Sequence, residues 1–219
     1  MENSSEQAAR QAAIAQLWSC IDRSQRLIEQ LLHLSRAEPG VEVHRNLPVS
    51  LSELVRSLVG NLSVRADRRR IDLGADAKGD IFVTGDPQQL TVLLGNLMEN
   101  AMRYTPSGGV VDVVATTVDG RPALCVIDNG PGIPPAERSR VFDRFYRGEG
   151  AQAGSSDDVG SGLGLAIVQA IAGQHRATVA LLTPASGVGL EVRVVFQKPE
   201  LPTSRGTAPS SAAVRAQRA

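Results

Sequence analysis

The chain has 219 residues, with lysine plus arginine and aspartate plus glutamate matched at 23 each, which allows one sizeable core and an appendage. The balance removes the basic excess that would draw a whole protein to nucleic acid or anionic lipid, so no nucleic-acid partner is expected. Cys20 and Cys125 have no metal-ligand or disulfide spacing and the start Met1 to Ser5 is polar; with no apolar run near the roughly 18 residues of a membrane helix, a cytoplasmic location is expected for the sequence as given.

Residues 6–37 contain no Gly or Pro and place Ile14, Leu17, Ile21, Ile28 and Leu31 at helical steps, with Leu27 and Leu34 widening the stripe. That repeat predicts a bundle helix, which cannot bury its apolar face against itself and needs a partner helix from the same or another chain. Periodicity alone also allows a long helix packed on its own domain. Glu38-Pro39-Gly40 ends it.

From Val41 the pattern becomes mixed. Val41 to Leu47 reads as a strand, Ser50 to Arg69 as a helix that Ser50 or Ser52 could cap with Glu53 following, and Ile71 to Leu73 and Ile81 to Thr84 as short strands. Asp86 reads as the N-cap of the next helix, with Pro87 in its first turn and Leu90, Leu93, Leu94, Leu97, Met98 and Ala101 on its buried face. Val110 to Val118 and Pro122 to Ile127 flank Asp119-Gly120, a hairpin signal. A polar stretch from Gly148 to Val159 leads to an apolar helix at about Leu163 to Gln174, then strands at Ala177 to Leu182 and Leu190 to Phe196. The tail after Lys198 has almost no large apolar residue and is expected to be disordered.

Four clusters carry chemistry. In Asn96-Leu97-Met98-Glu99-Asn100-Ala101-Met102-Arg103-Tyr104, residues Asn96, Asn100, Arg103 and Tyr104 share one helix side. Amide oxygens suit Mg²⁺, although a helix end with its polar side in water fits this cluster alone equally well. The second cluster, Val126-Ile127-Asp128-Asn129-Gly130-Pro131-Gly132-Ile133, puts a carboxylate at the end of a buried strand, able to accept from an exocyclic amine such as that of adenine. By itself it is an ordinary Asp-Asn-Gly turn. The third is Val141-Phe142-Asp143-Arg144-Phe145-Tyr146-Arg147, and the fourth Gly160-Ser161-Gly162-Leu163-Gly164-Leu165. Alternate glycines opening a helix expose backbone N–H groups to phosphate. A dinucleotide fold would need a strand directly before them, and a Walker loop Gly-Lys-Ser or Gly-Lys-Thr; neither is present.

In order and spacing the clusters resemble the N, G1, F and G2 boxes of bacterial two-component sensor histidine kinases, and the resemblance runs from about Ile14 to Gln197. Ile21 to Ser24 and Leu31 to Arg36 also resemble the second helix of that family's dimerisation hairpin. The resemblance implies an α/β fold, a two-layer sandwich of a mixed sheet and three helices of the histidine kinase/gyrase type, preceded by one long bundle helix. It divides the chain into a partial dimerisation helix at 1–40, an ATP-binding domain at 41–198 and a tail at 199–219. It implies ATP and Mg²⁺ as cofactors, held between the N-box helix and a mobile lid at Gly148 to Val159. Asn100 would ligate Mg²⁺ with Asn96 nearby, Arg103 would meet the phosphates, and Tyr104 and Asp128 the adenine. Gly132 would allow close approach, Gly160, Gly162 and Gly164 would seat the phosphates, and Phe142 and Phe145 would anchor the lid. Gly130, Ile133, Arg144, Arg147, Leu163 and Leu165 complete the implied cofactor-binding set.

Hydrolytic relatives keep a glutamate one helical turn before the metal-binding asparagine; here that position is Asn96, and an amide cannot act as a general base. Transfer to a protein nucleophile is therefore favoured, in the family a histidine followed by an acidic residue. His33, His44 and His175 are followed by Leu34, Arg45 and Arg176, and read as a bundle-surface residue, a strand residue and a helix C-terminal cation. The expectation is a kinase fragment or shortened product that binds ATP but lacks its own acceptor, forms a homodimer through the N-terminal helix in the full-length protein, and signals to a response regulator receiver domain. An anti-sigma-type protein-serine kinase and a non-catalytic nucleotide-binding dimerisation module remain as alternatives.

Overall fold

The computed structural model describes Arg10, Ile14, Leu17, Ser24, Ile28, Leu32, residues 46–148 and residues 160–198. The expected tail, most of the Gly148 to Val159 stretch and the Val41 to Arg45 part of the first expected strand lie outside the described residues. The six described positions before residue 46 other than Asn46 itself are helical, and Ile14, Leu17, Ile28 and Leu32 are about half exposed or more, at 46%, 64%, 58% and 51%. These apolar positions therefore do not bury themselves on the domain that follows.

That domain begins with strand β1 (Leu47–Ser50), followed by helix α1 (Leu51–Arg68) and strands β2 (Asp72–Asp76) and β3 (Phe82–Gly85). Ser50 is the cap, its Oγ accepting from Glu53 N at 3.2 Å. Ser52, the other candidate cap, lies within α1, fully buried, and its hydroxyl donates to Gly79 O at 2.7 Å. β1 and β3 form a separate antiparallel ribbon, from Leu47 opposite Gly85 to Ser50 opposite Phe82.

Asp86 next caps helix α2 (Pro87–Tyr104) through Oδ1, which accepts from Gln88 N at 2.8 Å and Gln89 N at 3.3 Å. The predicted face of α2 is buried in full, from Leu90 through Ala101, with Met102 added. Strands β4 (Val110–Val118) and β5 (Arg121–Asp128) meet at Asp119 and Gly120, whose φ values of 51° and 72° are those of a tight hairpin that follows the sheet twist. Helix α3 (Gly164–Gln174) and strands β6 (Thr178–Leu182) and β7 (Leu190–Val195) complete the domain.

The main sheet runs β2-β4-β5-β7-β6, with β2 parallel to β4 and all other pairs antiparallel. The result is a mixed sheet with three helices, the two-layer α/β sandwich expected. Its inner face carries Val111, Val113, Leu124, Val126, Val192 and Val194, buried in the same cluster as the apolar faces of α1, α2 and α3. Side chains alternate along a strand, so Asp128 falls in step with Leu124 and Val126 and turns toward the helices. Among the described residues no helix is long and apolar enough to cross a membrane.

His175 ends α3, and its role differs from that of a helix-end cation. Its Nδ1 lies 2.8 Å from Ile171 O, and its Nε2 accepts from Asp86 N at 3.1 Å. A nitrogen that accepts carries no proton, so the ring is a neutral bridge from the end of α3 to the start of α2. Gly85 makes room for it, since a Cβ there would lie 2.5 Å from His175 Cδ2.

Candidate nucleotide site

A cavity of about 340 Å³ lies between α2, the ends of β5 and β7, and residues 146–148 and 160–165, within the size range of small-molecule sites. Its α2 wall carries Asn96, Asn100, Arg103 and Tyr104. Asn96 Nδ2 donates to Val92 O at 2.8 Å, which ties the amide nitrogen back to the helix and turns the oxygen away from it. That oxygen faces Gly164: a Cβ on Gly164 would sit 3.2 Å from Asn96 Oδ1 and 3.4 Å from Asn100 Oδ1. The two amides thus meet the first residue of α3 across the cavity. The Arg103 guanidinium covers Gly160, where a Cβ would run into Nη1.

At the opposite end Asp128 is 6% exposed. Burial pushes its carboxyl above the usual carboxylate range, and hydrogen bonds from the backbone of Gly130, at 2.9 Å, and of Leu190 pull it partly back. Gly132 and Ile133 line the same end. Gly132 has φ 72°, and a Cβ there would lie 2.7 Å from Gly189 O, so the backbone turns where only glycine fits without strain. Gly130 does not line the cavity; it packs on the Tyr104 carbonyl, which a Cβ would approach to 2.9 Å.

The glycine-rich wall brings Gly160, Ser161, Gly162, Gly164 and Leu165 to the cavity. Leu163 is fully buried and is the N-cap of α3, with no capping hydrogen bond from its side chain. The first N–H groups of a helix lack intrahelical partners and carry its positive dipole end, which suits this wall to an anion. From the third cluster Arg147 lines the cavity, but Phe142 and Arg144 do not. Phe145 is 62% exposed and contacts the glycine wall through its backbone, its N–H donating to Gly162 O at 3.0 Å. The anchor at this point is therefore main chain, not a buried ring.

Other lining residues were not singled out from the sequence: Leu97, Glu99, Val126, Glu137, Tyr146, Leu190 and Val192 among them. Val126 was within reach, since period-two alternation puts it in phase with Asp128. Val192 was not, because it enters by pairing opposite Val126 across β5 and β7. Glu99 also pairs with Arg65 on α1, 3.1 Å away.

Residues 85–200 match the model of a family described as histidine kinase-, DNA gyrase B-, and HSP90-like ATPases. The chain belongs to this family. Within it the similarity is to sensor histidine kinases. The sensor protein QseC of Salmonella typhi is 39% identical over 180 residues, 82% of this chain and 38% of that protein. The sensor protein kinase PmrB of Pseudomonas aeruginosa is 33% identical over 192 residues, 88% of this chain and 39% of that protein. The solved cytoplasmic segment of the histidine kinase QseC superposes with a TM-score of 0.56 at 30% identity, covering 81% of this chain and 95% of that one. The chain thus contains a sensor histidine kinase catalytic domain, and spans about two fifths of the length of these curated relatives. The family binds ATP with Mg²⁺, and its phosphoacceptor histidine lies outside this domain.

Proposed function

We propose that this chain binds ATP with its adenine at Asp128 and its phosphates at Gly160, Gly162 and Gly164, and transfers the γ-phosphoryl group to a histidine on a dimerisation helix. The observation that carries the reading is the convergence of Asn96, Asn100, Arg103 and the start of α3 at one end of a cavity whose other end holds a buried carboxylate. A buried acceptor at one end and anion-binding groups at the other fit a molecule that is an amine-bearing base at one end and a polyphosphate at the other.

Mg²⁺ fits the same end. Among the described residues no group of three or more His, Cys, Asp and Glu could hold a metal ion, so the ion would rest on the amide oxygens of Asn100 and Asn96 together with phosphate oxygens, as Mg²⁺ commonly does. When bound it neutralises charge on the transferring group. Arg103 and Arg147 line the cavity and would add positive charge beside the phosphates. No carboxylate stands where hydrolysis would need a base at position 96, and Glu99 is engaged by Arg65.

Ile14, Leu17, Ile28 and Leu32, exposed and helical, support pairing with a second helix, and with it a homodimer. A response regulator receiver domain is the proposed downstream partner. His175, held by Asp86 and Ile171, is structural and not an acceptor.

The test is radiolabelled ATP offered to the chain with and without an added helical hairpin that bears an acceptor histidine. Acid-labile, base-stable label should collect on the hairpin and not on His33, His44 or His175. Label on a serine of an added protein would instead point to a serine kinase, and stoichiometric label on one of the three histidines would overturn the acceptor assignment.

A further inference from the structure

Between β5 and the third cluster, residues 134–148 form no regular helix or strand, yet three side chains hold them. Arg138 fastens the segment to the sheet edge: Nε donates to Ile133 O at 3.1 Å, Nη1 to Leu181 O at 3.1 Å, and Nη2 to Thr183 Oγ1 at 3.0 Å. From that anchored turn Glu137 and Arg140 both reach Tyr146. The Tyr146 hydroxyl donates to Glu137 Oε2 at 3.3 Å, and the Arg140 guanidinium lies over the ring, 4.6 Å from its centroid.

Tyr146 is also pressed against the glycine wall. A Cβ on Gly162 would lie 2.8 Å from Phe145 Cα and 3.0 Å from Tyr146 O, and a Cβ on Gly148 would run into Glu137 Oε2. The backbone at 145–148 is thus packed between Gly162 and the Glu137 carboxylate, and Arg147, within that stretch, lines the cavity.

We infer that Glu137 and Arg140 are positioning residues for the phosphate end of the site: they hold Tyr146 by its hydroxyl and its ring face, and so fix the main chain from which Arg147 reaches the phosphates. The inference rests on the nucleotide reading above. It assigns function to two residues outside the four clusters, and it separates Tyr146, a held post, from Arg147, the charge it presents. An arginine on a loose main chain gives part of its electrostatic gain back as backbone entropy lost on binding; a held backbone reduces that loss.

Four variants, Glu137→Ala, Glu137→Gln, Tyr146→Phe and Arg147→Ala, and the double variant Glu137→Ala/Arg147→Ala test this. MgATP binding is read by calorimetry, and adenosine binding by a nuclear magnetic resonance shift titration suited to weak ligands. Glu137→Ala and Tyr146→Phe should each weaken MgATP by about five- to tenfold, the scale of one lost hydrogen bond, and leave adenosine unchanged. Glu137→Gln, which keeps an acceptor oxygen, should recover most of the loss. The double variant should be no weaker than Arg147→Ala, because an unpositioned arginine and a missing one are alike.

Losses that add in the double variant, or adenosine falling in step with MgATP, would overturn the positioning role. So would unchanged MgATP affinity in Tyr146→Phe, the variant least able to disturb folding. A wild-type chain that binds neither ligand would instead remove the nucleotide reading, so the two failures are told apart.

Discussion

The two ends of the cavity are built differently. The proposed base end is cut into the sheet: Asp128 closes strand β5, is 6% exposed, and is fixed by the backbone of Gly130 and Leu190. The phosphate end is assembled from main chain and long cations, with Gly160 under Arg103 and Gly162 against Phe145 and Tyr146. A buried acceptor with one available direction discriminates between ligands, because a wrong partner leaves it unpaired. Backbone N–H groups and guanidinium ions attract any phosphate chain, and supply affinity more than choice.

The largest effect expected from this contrast is at Asp128. Asp128→Ala should weaken ATP by about 1 to 3 kcal/mol, up to roughly a hundredfold, and abolish the preference for ATP over GTP. Parallel calorimetric titrations with the two nucleotides measure it, and a retained preference would move base recognition elsewhere. Next is Gly132→Ala, which places a side chain at φ 72° and 2.7 Å from Gly189 O. A stability loss of about 1 to 3 kcal/mol is expected from the strain, visible as a lower urea midpoint, with weaker ATP binding alongside.

His175→Ala should cost less, about 1 to 2 kcal/mol, by leaving the Asp86 N–H and the α2–α3 junction without their bridge. Its effect belongs on stability, since the ring sits at the far ends of α2 and α3 from Asn100 and Gly164. A loss of ATP affinity larger than the loss of stability would show that the two helices transmit strain along their length.

A smaller effect is one of pH. The folded state holds the Asp128 proton more tightly than the unfolded chain does, because burial raises its pKa. Stability from this group is therefore full below the unfolded carboxylate value and is lost as pH rises through the folded one. Thermal melts of the ligand-free protein should show the wild type losing ground to Asp128→Asn across that rise, while ATP affinity climbs in the same window as the carboxylate becomes the acceptor. The smallest change is at Arg65→Ala: Arg65 and Glu99 are 44% and 38% exposed, so breaking the pair should alter stability by less than about 1 kcal/mol.

Local chemistry made much of this fold legible. Asp86-Pro87 begins α2, Asp119-Gly120 turns β4 into β5, and Ser50 caps α1, because in each case the residue type supplies the φ value or the acceptor that the backbone needs there. Where local chemistry left a choice or pointed to another role, tertiary contacts decided. Ser52 became a buried donor to Gly79 O, and His175 was fixed by Asp86, a residue 89 positions away. The site divided along the same line. The cluster residues facing the cavity follow from helix and strand phase, whereas Val192 arrives through strand pairing and Glu137 through a turn that Arg138 holds, neither of which has a local signature.

A hydrogen bond from Phe145 N to Gly162 O joins two points of the chain 17 positions apart. The bond closes the chain into a loop at that point, and the entropy of loop closure grows only logarithmically, by about 0.6 kcal/mol per doubling of length. The start of α3 is therefore insulated from the number of residues in the loop. Insertions or deletions between the two bonded points can leave the glycines at the start of α3 in place, so the loop is free to diverge in length at little thermodynamic cost.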